Sequence, residues 1–170
     1  MTIDPTLASR LAFLARVLER ERDHLLSTDS RLFQTAFTVE TARNLERDAQ
    51  LSERVEAFVG RFGRLQDTVG DKLLPALLRA LGERPGAVID NLDRAEKLGF
   101  IPSVDEWLAI RNLRNQMVHE YIEDPAVLAN ALTTAHTKVA TLVEATNNML
   151  EELSARGWAA DSESSRSPGQ

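Results

Sequence analysis

The chain has 170 residues, 43% of them hydrophobic, which is enough for one domain whose core needs neither disulfide nor metal. It contains no cysteine, which excludes thiol catalysis and cysteine-based zinc sites and fits a reducing compartment. A net charge of −6 excludes a broadly basic nucleic-acid-binding face, though not a small basic cleft.

Eight glycines, six prolines and few β-branched runs favour helix throughout. Pro5 to about Leu26 reads as a first helix, with Leu7, Leu11, Leu14, Val17 and Leu18 at helical spacing. Arg10 and Arg16 interrupt it where a signal peptide would be continuous, and no run approaches membrane-spanning length. A cytoplasmic protein without membrane contact is therefore expected. Ser27-Thr28-Asp29-Ser30 reads as a polar break offering helix caps. The pattern resumes with Leu32, Phe33, Ala36, Phe37 and Leu45, and a new start is expected near Asp48 to Ser52. From Val55 a wide apolar stripe runs through Phe58, Phe62, Leu65 and Val69 to Leu81. Pro75 lies inside it and should kink or restart the helix, and Gly82 should end it. Pro85 to Leu98 reads as another helix, with Val88, Ile89, Leu92 and Ala95 inward and Gly99 closing it. After Pro125 a long helix follows. From residue 158 the composition turns polar and turn-forming, giving a bundle domain over 1–157 and a disordered tail over 158–170.

Between the last two helices lies SVDEWLAIRNLRNQMVHEYIEDP, residues 103–125. Ser103 and Glu106 have capping-box spacing, and Asp124-Pro125 marks the start of the next helix. Wound at about 100° per residue, Trp107, Ile110, Leu113, Met117, Val118 and Tyr121 share one arc. Arg114 falls in the middle of that arc, where it needs a carboxylate, a ligand anion or a wet cleft; Asp71 and Glu40 are candidate partners. His119 lies about 140° away, beside Asn115 and Asn112. One straight helix does not aim both side chains at one atom, so either its end distorts or a second chain completes the site.

An imidazole moves protons near neutral pH, and a guanidinium holds a phosphate by two parallel hydrogen bonds. With RNA as substrate the 2′-hydroxyl supplies an internal nucleophile, so Arg114 and His119 make a chemically sufficient ribonuclease with no metal and no cofactor. Gly60, Gly63 and Gly70 form no phosphate-cradling loop, and Arg61, Arg64, Lys72 and Arg79 either extend an RNA-binding surface or, the reading preferred from sequence, make a solvated helix face.

The run R-N-Q-M-V-H-E-Y, with arginine, four residues, histidine, one residue and tyrosine, resembles the signature of the HEPN superfamily. In particular it is similar to the HepT-like toxins paired with MntA-type minimal nucleotidyltransferase antitoxins. The resemblance implies an all-α, up-and-down bundle of five to six helices, active as a homodimer with motifs from two chains facing one cleft. It implies a metal-independent endoribonuclease with Arg114 and His119 catalytic and Asn115 orienting the imidazole or phosphate. Tyr121 would accept AMP from the partner nucleotidyltransferase, which shuts the cleft, and Arg111 and Asn112 would offer further RNA contacts. A second reading is a non-catalytic helical subunit that presents substrate to, or regulates, a nucleotidyltransferase. The stretch from Ser30 to Leu81 is longer than a minimal member of the group needs.

Overall fold

The computed structural model describes residues 2–119 and 123–159, with the backbone alone for His119. The described residues are helical and contain no strand. None of their helices is long and apolar enough to cross a membrane.

Helix α1 spans Pro5–Leu32, capped by Asp4, whose carboxylate accepts from the Thr6 N–H. It passes straight through the expected polar break at Ser27 to Ser30. The Thr28 and Asp29 side chains do not compete with the helix, because they are satisfied inside it or from distant elements. The Thr28 hydroxyl donates to the His24 carbonyl at 3.0 Å and accepts from Arg61 on a later helix. Asp29 holds His136 at 2.7 Å, and the His136 ring stacks on Phe33 at 4.2 Å. His136 thereby ties the end of α1 to the last helix.

A short helix α2, Val39–Arg43, follows, opened by reciprocal hydrogen bonds between Thr38 and Thr41, and a single 3₁₀ turn covers Leu45–Arg47. Helix α3, Ala49–Asp67, starts where a start was expected, with Asp48 rather than Ser52 capping it through the Leu51 N–H at 3.0 Å. The rod then continues through a π-helical turn, Thr68–Leu73, into α4, Leu74–Ala80. The Leu74 N–H reaches back to the Val69 carbonyl, one residue further than in an α-helix. Pro75 therefore restarts the helix at its first turn, where its missing N–H costs nothing. Gly82 and Gly99 both stand in the left-handed region and end their helices as expected.

Helix α5 is shorter than expected, Val88–Lys97, because the Asn91 side chain folds back on Gly86 and holds residues 85–87 as a loop. Its inner face also differs. Asn91, Leu92 and Ala95 are buried, whereas Val88 and Ile89 are exposed at the open first turn. Helix α6, Val104–His119, and helix α7, Pro125–Ala155, complete the chain. Asp124 caps α7 through the Ala126 N–H at 2.9 Å. Beyond α7, Gly157 turns the chain, the Trp158 N–H bonds back to the Leu153 carbonyl, and Trp158 and Ala159 pack against the core. The expected tail at 160–170 lies outside the described residues.

The core gathers Leu11, Leu14, Leu18 and Leu25 of α1 against Phe58, Phe62 and Leu65 of α3 and Leu132, Ala135, Val139, Leu142 and Met149 of α7. Spacings of three, four and seven make each set one face of its helix. Helix α6 lies on α3 and α7, so its polar residues stand at the edge of this core.

Candidate functional site

Helix α6 opens with the Ser103 hydroxyl accepting the Glu106 N–H at 3.0 Å, which is half of the expected capping box. The Glu106 carboxylate does not return to Ser103; it takes Lys138 of α7 at 2.6 Å and fastens α6 to its neighbour. Trp107, Ile110, Leu113 and Met117 are buried as expected, while Val118 is exposed. Tyr121 and the His119 side chain lie outside the described residues.

Arg114 sits among these buried positions but reaches the surface, its side chain 36% exposed. The reason is a notch on α3. A Cβ on Gly63 would stand 3.1 Å from Arg114 Cγ and 3.3 Å from Nε, so the missing side chain is what lets the arginine stem lie across α3. At its head, Nη2 donates to Asp67 Oδ2 at 3.4 Å and Nη1 donates to Asn115 Oδ1 at 3.2 Å. Both contacts are long for charge-assisted hydrogen bonds, and a guanidinium has five donors, so capacity for a second anion remains. The partner carboxylate is Asp67, not the candidates Asp71 or Glu40.

Arg114 borders a groove of about 490 Å³ between α3 and α6. Gly60 and Gly63 leave its wall bare, and Arg64, Asp67, Asp71 and Lys72 rim it. Behind that rim lies Glu21 of α1, which nothing in its charged surroundings marked as special. The Thr68 hydroxyl donates to its Oε1 at 3.3 Å, while its buried Oε2 has no hydrogen-bond partner. Burial pushes this carboxyl above its ordinary range; Thr68, Arg64 and Lys72 pull part of the way back, and Asp67 adds to the rise.

Arg111, Asn112 and Asn115 share a second, shallower depression on the outer face of α6, with Asp105, Leu108 and Ala109. The structure thus divides the polar residues of the motif. Arg114 faces the groove, the other three face outward, and the Asn115–Arg114 hydrogen bond joins the two sides. The helix runs unbroken to His119, so it does not distort to aim Arg114 and His119 alike within the described residues. Their Cα positions are separated by about 7.5 Å along the axis and about 140° around it.

No family model, curated protein or solved structure matches this chain. Its chemistry must be read from its own residues. Among the described residues, no three His, Asp or Glu side chains converge on a point that would hold a metal ion. What the groove offers is a guanidinium with donors to spare, two further cations, and bare helix backbone beside them. That set suits a phosphate-bearing ligand.

Proposed function

We propose that the chain is a metal-independent endoribonuclease of the HepT-like toxin type, an up-and-down HEPN-like bundle acting as a homodimer. The observation that carries this reading is Arg114, held by Gly63 at the mouth of a groove and on one continuous helix with Asn115 and His119. In the reaction, the 2′-hydroxyl oxygen attacks the adjacent phosphorus and His119 takes the hydroxyl proton. The P–O5′ bond breaks, and the 5′-oxygen leaves with a proton from water. The products are a 2′,3′-cyclic phosphate and a free 5′-hydroxyl. Arg114 stabilises the charge that grows on the non-bridging oxygens. Asn115 steadies the guanidinium, and Arg111 and Asn112 extend the polar face toward the RNA.

Control is assigned to Tyr121, the single tyrosine of the chain. Its phenol oxygen attacks the α-phosphorus of ATP on a cognate minimal nucleotidyltransferase, pyrophosphate leaves, and the phenol proton is lost. The added AMP places bulk and negative charge two residues from His119.

Purified unmodified protein is expected to cut single-stranded RNA in EDTA and leave cyclic phosphate ends. His119→Ala should abolish cutting while circular dichroism and the thermal melt stay as in the wild type. Equal cutting by that variant sinks the assignment. One observation favours the second reading, a non-catalytic subunit of a nucleotidyltransferase: Arg114 already has a carboxylate partner in Asp67. If Arg114 serves only that pair, Arg114→Lys will preserve every activity of the protein; a catalytic guanidinium will not tolerate it.

A further inference from the structure

Arg64 and Lys72 stand on the same rod as Gly63 and rim the same groove as Arg114. In an uninterrupted α-helix, residues eight apart lie about 80° round from one another and face different ways. The π turn between them changes this. It carries one extra residue for the same rotation, so Lys72 takes roughly the place of a residue seven positions on, about 20° from Arg64. The two side chains are thereby brought into one row, about two turns apart. Both feel the Glu21 carboxyl behind the rim, but both side chains are exposed and turned to the groove, where they can meet a ligand. Gly60 leaves the wall beside them empty: a Cβ there would meet nothing within 4 Å. Gly70 holds the turn in place, its bare backbone lying against the buried Trp107 of α6.

The carboxylates in the groove set the strength of the grip. Asp67 is spent on Arg114, and Asp71 remains as a repulsive neighbour. Three cations against two carboxylates favour a ligand that carries its negative charges at intervals over one that concentrates them.

We propose that Arg64 and Lys72 form a phosphate-binding row beyond Arg114, which guides the backbone of a single-stranded RNA along α3 and the π turn. This rests on the ribonuclease reading for the identity of the polymer, but its test is a binding measurement and does not depend on cleavage. The probe is a fluorescein-labelled 2′-O-methyl oligouridylate, which keeps its phosphates and lacks the attacking hydroxyl. Its anisotropy is titrated with full-length protein over a series of KCl concentrations in EDTA. Each phosphate contact on a single strand contributes about 0.7 to the slope of log affinity against log salt. The slope should therefore become shallower by about 0.7 for Arg64→Ala or Lys72→Ala, and by about 1.4 for the double variant. Lys72→Arg should keep the wild-type slope. Both positions are exposed on helices, and a thermal melt of each variant verifies the fold. An unchanged slope in the folded double variant overturns the proposal, as does a wild-type protein that does not bind the probe. If the slopes shift as expected while natural RNA stays uncut, the row stands and the ribonuclease reading fails.

Discussion

Glu21 carries the least comfortable charge in the described structure. One of its oxygens takes the Thr68 hydroxyl and the other is buried without a partner. Desolvation raises its pKa above the ordinary 4.5; Thr68, Arg64 and Lys72 do not cancel that rise, and Asp67 adds to it. The folded state therefore holds this proton more tightly than the unfolded chain. Below about pH 4.5 the group is neutral in both states and contributes no difference. As the pH climbs from there through the raised folded value, the buried carboxyl must ionise and stability falls. Glu21→Gln removes the ionisation and keeps the oxygen that accepts from Thr68. It should melt higher than the wild type at pH 7, and the gap should close toward pH 4. Calorimetric melts of both proteins over that range decide it; a gap that is constant with pH contradicts this account of the site.

At the scale of elements, the rod from Ala49 to Ala80 presents two glycines that should respond in opposite ways to the same substitution. Gly60 has open space where a Cβ would stand, so Gly60→Ala gains helix propensity at no steric cost, about 1 kcal/mol or about 2–4 °C in melting temperature. At Gly70 a Cβ would lie 3.2 Å from both Cζ2 and Nε1 of Trp107, a rigid ring locked in the core. Overpacking of this kind costs about 1–3 kcal/mol, which outweighs the propensity gain. Gly70→Ala should therefore lower the melting temperature and loosen α6 on the π turn. The sequence displayed the glycines and Pro75 but not the turn that connects them, since a π turn has no period of its own in a hydrophobic pattern. That is also why the sequence did not single out Arg64 and Lys72 from Arg61 and Arg79 as one row. The helix ends at Gly82, Gly99 and Asp124 were legible because each cap is a local device. The false break at Ser27 to Ser30 was not, because its polar groups are answered by Arg61 and His136, distant in sequence. Asp67 escaped as the partner of Arg114 for the same reason: only the packing of α6 against Gly63 brings them together.

For the molecule as a whole, the groove matters because its two walls belong to different helices. Arg114 comes from α6, and Arg64, Asp67 and Lys72 come from the rod of α3 and the π turn. Helix α6 is further fastened to α7 by Lys138 and Glu106, and α3 to α1 by Arg61 and Thr28. A polyanion lying in the groove therefore joins elements that connect to the rest of the core, and its binding energy is returned as global stability. A ligand that binds only the folded chain stabilises it by about 2.7 kcal/mol when present at one hundred times its dissociation constant. Single-stranded RNA, or its uncleavable 2′-O-methyl form, should accordingly raise the melting temperature at low salt. The rise should fade as KCl is added, because screening and counterion release act on the same phosphate contacts. Gly63→Leu, which fills the notch under the Arg114 stem, should reduce the rise even where the ligand-free melt is little changed. A melting temperature indifferent to RNA at low ionic strength would leave the groove as an ordinary seam between two helices, and Arg114 as a structural partner of Asp67.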